Sequence, residues 1–332
     1  MRFAGILALL GVLFALCTTD AHTADDPKKQ AALTPETADA DFPIQGEYLG
    51  EIDGEDGKLK YGVQIIALGD GKFRAVGHLG GLPGAGWIGE GKMETEGERI
   101  DGQATFKREN HQAVVTDDGL EIQDLSGLKL ATFEKVVRKS KTLGKKPPAG
   151  AVVLFDGKSA GNFKGGRLSE DGLLMQGVTS KQTFGDCTIH LEFMLSYMPH
   201  ARGQGRSNSG CYLQGRHEVQ ILDSFGLSGE NNECGGIYTV RKPSVNMCLP
   251  PLSWQTYDID FIAAKFDKNG EKTSNAKLTV RHNDVLIHKD VEVPYATRAA
   301  PLKEGPEPGP IFLQDHSNPL RFRNIWVVPK TN

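Results

Sequence analysis

The stretch S-N-S-G-C-Y-L-Q-G-R-H-E-V-Q-I-L-D, residues 207–223, decides the fold. It predicts two short strands that are joined by a turn at residues 214–216. Successive side chains of an extended chain point to opposite faces. Val219 and Ile221 can therefore enter a core, while Glu218 and Gln220 stand together on the other face. We expect the chemistry of the protein on that second face.

The rest of the second half of the chain has the same pattern of short strand-like runs. Its apolar runs are short, for example 187–195, 254–263 and 311–314, and Gly, Pro and Asn turns separate them. After residue 24, no segment shows apolar residues at i, i+3, i+4 and i+7 for three turns, as an amphipathic helix would. Many short strands with such turns are typical of a β-sandwich or jelly roll. The sequence therefore predicts an all-β fold.

Four motifs, in this order along the chain, resemble the 3-keto-disaccharide hydrolase domain family. The resemblance covers roughly residues 150–329 and implies a concanavalin-like β-sandwich that cleaves 3-keto-glycosides. It also implies the reaction sequence, a lyase step to a 2-hydroxy-glucal followed by hydration. The motifs are N-S-G at 208–210, E-V-Q-I-L-D at 218–223, C-G-G-I-Y at 234–238, and G-P-I-F-L-Q-D-H at 309–316 followed by L-R-F-R-N-I at 320–325.

The first half of the chain divides into three parts. Residues 42–137 predict a small all-β module, because short strand-like runs alternate with turns such as Gly-Asp-Gly at 69–71. Residues 25–41 have few large apolar side chains and predict a disordered spacer. Residues 138–150 are charged and contain Pro and Gly, which is typical of an interdomain linker. The sandwich domain then occupies residues 151–329.

Residues 1–24 have the pattern of a secretory signal peptide. Arg2 precedes an apolar run at 6–16, and Thr19-Asp20-Ala21 offers a cleavage site. A lipoprotein anchor through Cys17 is the alternative, although the bulky Leu16 stands immediately before that cysteine. The run is too short to span a membrane, and no second apolar stretch would hold the chain there. We expect a secreted or periplasmic protein.

The composition excludes some classes of partner. The chain of 332 residues has 39% hydrophobic and 24% charged residues and a formal net charge of −4, which is ordinary for a globular protein. Lys and Arg are scattered among acids, so no basic stripe for nucleic acid is present. The run 84–89 fits G-x-G-x-x-G, but no helix pattern follows it to hold a pyrophosphate. The expected partner is a glycoside or oligosaccharide, and the oligomeric state is left open.

Four cysteines follow the N-terminal segment, and two interpretations of them stay open. Cys187, Cys211, Cys234 and Cys248 permit three pairings in an oxidising compartment, and one disulfide is the first interpretation. Cys187 lies two residues before Ile189, so its side chain points to the same core-facing side of the strand, and this favours buried free thiols. No C-x-x-C occurs, so the spacing does not indicate a zinc knuckle.

Strand parity also groups the polar residues. His190 and Glu192 oppose the core face of their strand, and Gln314 and His316 oppose the core face of theirs. If these strands share a sheet with residues 218–220, all of these side chains line one concave surface. Arg321 and Arg323 would lie beside it, with a β-bulge near Asn324 because Phe322 and Ile325 are an odd number apart. We expect Asp223 at the rim, bonded to backbone or to an arginine.

Such a surface suits elimination from a 3-keto-glycoside. The ketone acidifies the hydrogen on C2, so the site needs a base, a donor for the enolate oxygen and an acid for the leaving group. The hypothesis gives these roles to His316, Arg321 and Glu218 respectively; Glu218 could also activate water, and His316 and Glu218 could exchange roles. The candidate substrate-binding residues are Asn208, Gln220, Asp223, Gln314, His190, Glu192 and Arg323.

Cofactors and other functions are less constrained. We assign no cofactor; a divalent cation is possible, but without a metal-binding spacing we name no ligands. The main alternative function is a non-catalytic carbohydrate-binding, lectin-like module, because the same sandwich supports binding alone. A glycosidase with paired carboxylates and a structural envelope protein are further alternatives. Glu218 and Gln220 place an amide where such a glycosidase would have its second acid.

Overall fold

The computed structural model describes residues 26–55 and 57–330 and confirms the all-β fold class. The chain forms a closed eight-stranded barrel followed by a sandwich of two sheets. The predicted signal peptide at 1–24 lies outside the described residues. Within the described residues, no helix has the length and apolar character needed to cross a membrane.

The barrel is an antiparallel meander in which each strand pairs with the next and the last strand pairs with the first. Closure leaves no strand edge open, which is the common solution for a small antiparallel sheet. The strands are β1 Gly46–Gly54, β2 Gly57–Gly69, β3 Lys72–Leu79, β4 Lys92–Ile100, β5 Gln103–Lys107, β6 His111–Thr116, β7 Gly119–Asp124 and β8 Lys129–Val136.

Aromatic rings fill the barrel, and glycines make room for them. Phe106 and Phe133 are buried inside. A Cβ at Gly97 would lie 2.4 Å from the Phe106 ring, and a Cβ at Gly50 would lie 2.0 Å from the Phe133 ring. Pairing a large residue with a missing side chain is how a narrow barrel packs its interior. The barrel interior is therefore a packed core.

The prediction of a disordered spacer at 25–41 is wrong for the part that the structure describes. Residues Pro27–Lys29 and Pro35–Thr37 form short 3-10 helices. Ala32 exchanges backbone hydrogen bonds with Tyr197 of the sandwich domain, and the Tyr197 hydroxyl donates to Asp39 at 2.8 Å. The segment has few apolar residues of its own, but these tertiary hydrogen bonds order it.

Two sheets make up the sandwich. The five-stranded sheet has the order β10-β12-β21-β14-β15, and the seven-stranded sheet has the order β11-β22-β13-β16-β19-β20 with β9 paired to β22. The strands are β9 Val152–Phe155, β10 Phe163–Lys164, β11 Leu174–Met175, β12 Val178–Phe184, β13 Cys187–Leu195, β14 Asn208–Leu213, β15 His217–Leu222, β16 Trp254–Ile262, β17 Lys265–Phe266, β18 Lys272–Ser274, β19 Ala276–His282, β20 Val285–Val293, β21 Gly309–Leu313 and β22 Leu320–Pro329. Of these, β17 and β18 pair with each other as a separate two-stranded sheet.

The core lies between these sheets, and strand parity assigns its residues correctly. Val219 and Ile221 of β15 pack in the same cluster as Ile189 and Leu191 of β13. Glu218 and Gln220 face away from it, as predicted. The four described cysteines are buried free thiols.

The predicted bulge near Asn324 is also confirmed. The pairing of β13 with β22 shifts between His190 and Glu192, and Asn324 has a positive φ of 46°. Phe322 and Ile325 are consequently both buried despite their odd spacing. An extra residue that re-aims the side chains after it is the usual effect of a bulge.

The barrel and the sandwich pack closely. Ile66 and Val76 point outward from the barrel and belong to the sandwich's apolar cluster. Arg138, immediately after the barrel, forms a bidentate ion pair with buried Glu47, with nitrogen–oxygen distances of 2.5 and 2.6 Å. The linker 138–150 then lies on the seven-stranded sheet, where the Gly144 N–H donates to Glu192 at 2.6 Å.

Candidate functional site

A cavity of about 340 Å³ opens on the outer face of the five-stranded sheet, where β14, β15 and the end of β21 meet. Its size is at the lower end of the range for small-molecule sites. Strand alternation brings polar side chains to this face while the apolar ones fill the core. The lining residues are Gln204, Asn208, Tyr212, Glu218, Gln220, Tyr238, Arg298, Ala299, Gln314 and His316.

Glu218 is the buried acid of the cavity, with 2% of its surface exposed. Burial raises the pKa of its carboxyl to about 8, and the hydrogen bond from Tyr212 opposes this rise without cancelling it. A buried carboxyl has no solvent to stabilise its charge, so it keeps its proton at neutral pH. Glu218 is therefore a neutral acid at pH 7, able to donate a proton.

Tyr212 lies directly opposite Glu218 in the β14–β15 pairing. Its hydroxyl is 2.7 Å from Oε2 of Glu218 and 3.3 Å from Nε2 of Gln314, which donates to it. Burial raises the pKa of Tyr212, so the phenol stays protonated. The Tyr212 hydroxyl thus donates to Glu218, and the neutral carboxyl supplies a second O–H group beside it.

Gly210 provides the space that Glu218 occupies. A Cβ at position 210 would lie 2.1 Å from Oε1 of Glu218, far inside a van der Waals contact. Gly210 is two residues before Tyr212 on β14 and so faces the same side of the sheet. Only a residue without a side chain lets the carboxyl fold down between Tyr212 and Gln220.

Amide side chains form one end of the cavity. Asn208 donates through Nδ2 to the carbonyl and to Oε1 of Gln204, at 2.9 and 3.1 Å. Gln220 donates to the same Oε1 at 3.2 Å, and Gln204 donates to the carbonyl of Asn232 at 2.8 Å. Oδ1 of Asn208 is buried and has no hydrogen-bond partner among the described residues. The amides are held in fixed orientations.

Two segments cover the outer edge of β15, which pairs with no further strand in the part of the chain that the structure describes. Residues 235–238 run alongside it: Gln220 exchanges backbone hydrogen bonds with Gly235 and Gly236, and the Tyr238 N–H donates to the carbonyl of Glu218. This pairing brings Tyr238 to the cavity. The C-G-G-I-Y motif thus acts as a short edge element of the sheet.

The second segment is the loop 294–308, which connects β20 to β21. The Glu218 N–H donates to Oγ1 of Thr297 at 3.0 Å, and this hydroxyl donates to the carbonyl of Arg216. Arg216 in turn donates to the carbonyls of Lys303 and Glu307, at 2.7 and 2.8 Å. These bonds place Arg298 and Ala299 at the mouth of the cavity.

Residues 150–328 match the family described as the 3-keto-alpha-glucoside-1,2-lyase-like domain. The chain belongs to this family. The match covers the sandwich up to Val328 of its last strand and includes every residue that lines the cavity. Membership in the lyase-like family assigns the chain a carbohydrate-active function. Comparison with curated proteins gives no match.

Three solved structures of candidate glycosyl hydrolases from Parabacteroides distasonis are similar to the chain. The first is 30% identical and matches 55% of this chain and 85% of its own, with a TM-score of 0.49. The second is 15% identical over 59% of this chain and 99% of its own, with a TM-score of 0.40. The third is 19% identical over 54% and 99%, with a TM-score of 0.38.

The cavity of this lyase-like domain brings together five of the residues that the sequence predicts. Asn208, Glu218, Gln220 and Gln314 lie on its sheet face, and His316 follows β21 at its exposed side. Glu218 and His316 therefore line the same cavity. The roles that the sequence hypothesis gives them stay predictions.

His190 and Glu192 do not join the others, so the prediction of one shared surface is wrong for them. Their strand, β13, belongs to the seven-stranded sheet, and they face its outer side. The apolar core separates that side from the cavity, because face-to-face sheets lie about 10 Å apart. The alternation of side chains along a strand shows which residues share a face, but it does not show which sheet the strand joins.

These two residues instead form a buried network under the linker. His190 contacts Asp258 at 3.0 Å and stacks on Trp326, and Glu192 accepts from Arg323 at 2.7 Å. Burial alone would raise the pKa of Glu192, but hydrogen bonds, with His190 first among them, lower it to about 2. Burial would lower the pKa of His190, and the two carboxylates raise it instead.

Arg321 and Arg323 lie on the same distant face, which corrects their predicted place beside the cavity. Arg321 pairs with Met175 and Met194 in neighbouring strands and donates to the carbonyl of Leu320. Arg323 lies 3.9 Å over the ring of Trp254. Because β22 is in the seven-stranded sheet, neither arginine can serve a reaction in the cavity.

Asp223 is likewise outside the cavity. The chain leaves the strand after Leu222, as predicted, but Asp223 is buried instead of lying at a rim. Its carboxyl lies 2.9 Å from Nε of Arg206 and accepts from the N–H of Phe225. The predicted arginine and backbone partners are present, and they hold the turn after β15.

Sequence reasoning missed Gln204, Tyr212, Tyr238, Arg298 and Ala299. Tyr212 could have been found, because it shares the parity of Asn208 within the stretch that decides the fold. Tyr238 is the last residue of the C-G-G-I-Y motif at 234–238. Arg298 carries no local signal, since its place depends on how the loop 294–308 crosses β15.

A metal site was left open from the sequence. Among residues 26–55 and 57–330, no three His, Cys, Asp or Glu side chains come together as a metal site would require. Among the described residues, the polar ones that line the cavity are amides, two tyrosines, one histidine, one arginine and one glutamate. A divalent cation remains a prediction without assigned ligands.

Proposed function

We propose that the protein cleaves 3-keto-glycosides by elimination across C1 and C2, followed by hydration of the product. The observation that carries this proposal is the neutral Glu218 carboxyl, held by Tyr212 in a cavity that also contains the imidazole of His316. A proton donor and a proton acceptor in one cavity are what an elimination next to a ketone requires. Family membership supports the same class of substrate.

In the first step, His316 removes the hydrogen from C2, which the C3 ketone acidifies. The electron pair moves onto the ketone oxygen as an enolate, and the hydroxyl of Tyr212 turns from Oε2 of Glu218 to donate its hydrogen bond to the enolate. This role passes to Tyr212 because Arg321 lies on the other sheet. The enolate then collapses, the bond between C1 and the leaving oxygen breaks, and Glu218 gives its proton to that oxygen.

The second step restores both groups. Glu218, now a carboxylate, takes a proton from water as the oxygen of that water adds to C1 of the 2-hydroxy-glucal. His316 returns its proton to C2. The sum is hydrolysis to 3-keto-sugar and free leaving group, with Glu218 protonated and His316 neutral again. A buried carboxyl that changes charge once in each step fits a group whose pKa lies near neutrality.

The test is incubation of the purified protein with a 3-keto-glucoside and with the matching unoxidised glucoside. We expect turnover of the keto form alone, with kcat/KM falling above about pH 8 as Glu218 loses its proton. Glu218→Gln and His316→Ala should each lower kcat by roughly 100-fold or more. His111→Ala, at an exposed histidine of the barrel, is the matched control.

The same experiment separates the alternative functions. Saturable binding of the keto-glucoside without turnover would make the domain a carbohydrate-binding module. Cleavage of the unoxidised glucoside alone would make it a conventional glycosidase. Either result would remove the elimination mechanism.

We also propose that the chain is exported, on the pattern of residues 1–24 alone. N-terminal sequencing of the protein isolated from its native source tests this. A mature chain that begins shortly after Ala21 supports export, and an intact Met1 in the mature protein contradicts it.

A further inference from the structure

The cavity has an unusual charge balance. Glu218 is its one carboxyl, and that group keeps its proton at neutral pH because it is buried. The other lining groups, apart from Arg298 and His316, are uncharged amides, phenols and one methyl group. Among the described lining residues, none therefore carries a negative charge that would offset Arg298 below about pH 8.

Other arginines close to the cavity are already occupied by partners. Arg206 pairs with Asp223 at 2.9 Å, and Arg216 donates to two loop carbonyls and to Gln214. Arg298 differs: across residues 26–55 and 57–330, its side chain has neither an ion pair nor a hydrogen bond, and it is exposed. The backbone carbonyl of Arg298 lies 3.4 Å from the hydroxyl of Tyr212.

The backbone fixes where Arg298 can reach. Thr297, on one side, is bonded to the backbone of Glu218 and Arg216. Ala299, on the other, has a positive φ of 61°, a conformation that a residue with a side chain rarely adopts. Such conformations persist where the surrounding structure enforces them, often at ligand sites. The loop thus holds an unpaired cation at the mouth of the cavity, above the Tyr212–Glu218 pair.

The mouth is where the leaving group of a substrate must lie. In the proposed reaction C1 and C2 are next to the buried carboxyl of Glu218, so the group joined to C1 lies on their solvent side. The leaving group therefore extends outward past Arg298. A carboxylate there would receive a charge-assisted, bidentate hydrogen bond from the guanidinium.

We propose that Arg298 is a specificity-determining residue that selects 3-keto-glycosides whose leaving group carries a carboxylate. This inference rests on the proposed function, since it assumes that the reacting sugar lies against Glu218. The substrate class is then an acidic glycoside, such as one with a carboxylated phenol or a sugar acid as leaving group.

The test compares two substrates of nearly equal shape, one with a carboxylate and one with a neutral amide: the 3-keto-glucosides of 4-hydroxybenzoate and of 4-hydroxybenzamide. We expect the wild type to prefer the carboxylate substrate in kcat/KM, and Arg298→Gln to reduce that preference about tenfold, as one charge-assisted hydrogen bond predicts. Arg298→Lys should keep part of the preference, because it retains charge but loses the planar fork. Salt should weaken the wild-type preference.

Arg281→Gln is the matched control, because Arg281 is an exposed arginine on β19 of the other sheet. It should leave the preference unchanged. Equal losses on both substrates in Arg298→Gln would overturn the inference and place Arg298 at the reaction centre, and no loss on either would overturn it as well. If the wild type cleaves neither substrate, the proposed function itself fails and the inference fails with it.

Discussion

Glu218 shows how one buried side chain can carry a chemical function. The carboxyl is 2% exposed, and its pKa is raised to about 8 because burial removes the water that would stabilise the anion. The hydrogen bond from Tyr212 favours the charged form, but this effect is smaller. The result is an acid that is protonated at neutral pH and can still lose its proton during a reaction.

The raised pKa of Glu218 predicts a pH dependence of stability. The folded protein holds the proton more tightly than the unfolded chain, whose pKa is near 4.5. The stability that this group contributes is therefore complete below about pH 4.5 and is lost as pH rises through about 8. We expect Glu218→Gln to remove this decline, which should amount to roughly 2–4 kcal/mol of unfolding free energy.

Urea unfolding of the wild type and of Glu218→Gln at pH 5 and pH 8.5 measures this difference. Glu51→Gln, at an exposed acid of the barrel, is the control and should keep the wild-type decline. Parallel pH profiles for wild type and Glu218→Gln would show that the carboxyl is ionised in the folded protein at neutral pH.

Gly210 gives a second prediction at the scale of a residue. Because a Cβ at 210 would lie 2.1 Å from Glu218 Oε1, Gly210→Ala must displace the carboxyl. We expect activity to fall by about 100-fold and unfolding free energy to fall by roughly 1–3 kcal/mol. Gly205→Ala is the control, since a Cβ there meets no atom within 4 Å. Steady-state kinetics and thermal unfolding would reveal a Gly210→Ala variant with normal activity, contrary to this account.

Among the strands, the outer edge of β15 serves both the fold and the candidate site. A strand edge has unpaired N–H and C=O groups that must find partners. Here the strip 235–238 and the hydroxyl of Thr297 supply them. The same bonds bring Tyr238 and Arg298 to the cavity, so satisfying the edge of the sheet also builds the site.

Thr297→Val tests this element with a change of nearly equal shape. It leaves the N–H of Glu218 without its acceptor and removes the hydroxyl's bond to the carbonyl of Arg216, while the backbone bond from Thr297 to Arg216 remains. We expect kcat/KM to fall about tenfold, the equivalent of one lost hydrogen bond with its unsatisfied partner, while the fold persists. Thr297→Ser keeps the hydroxyl and should retain most of the activity; equal activity in the Val and Ser variants would show that the bond does not position the site.

For the whole molecule, the barrel and the sandwich should unfold as one unit. Ile66 and Val76 of the barrel share the apolar cluster of the sandwich, and Tyr197 of the sandwich packs with the barrel interior. The Glu47–Arg138 ion pair joins the barrel to the start of the linker, and the Glu47 side chain is 1% exposed. Because the barrel and the sandwich share a core in this way, their unfolding should be cooperative.

Arg138→Ala tests that cooperativity. It leaves the buried carboxylate of Glu47 without its cation, and breaking such a pair costs about 3–5 kcal/mol. We expect a single calorimetric transition at a lower temperature, not a separate early transition of the barrel. The double variant Glu47→Gln with Arg138→Met should recover part of the loss, because no buried charge remains. Two resolved transitions in the wild type would contradict the prediction.

The sequence predicted the positions of some residues correctly and misplaced others. Period-two alternation in 207–223 assigned Val219 and Ile221 to the core and Glu218 and Gln220 to the opposite face, because the pleat of a strand leaves no other choice. Odd spacing between Phe322 and Ile325 predicted the bulge at Asn324 for the same reason. His190, Glu192, Arg321 and Arg323 were misplaced, because alternation says nothing about which sheet a strand enters.

The ordered structure of residues 26–41 and the closure of the barrel also could not be predicted from short windows of sequence. Ala32 and Asp39 are held by Tyr197, which is more than 150 residues away in the chain. Closure requires β8 to return beside β1. Contacts between distant parts of the chain leave no mark on the residues of a short window, so composition alone predicted disorder.

The sequence by itself determined the all-β class, the core side of each main strand, and the motifs that assign the chain to its family. These properties depend on alternation and turn chemistry, which act between neighbours in the chain. Only the tertiary structure decided which polar side chains meet, because sheet order and loop paths set that. It placed Tyr212 and Arg298 with Glu218, moved four candidates to the opposite sheet, and raised the pKa of Glu218 by burying it.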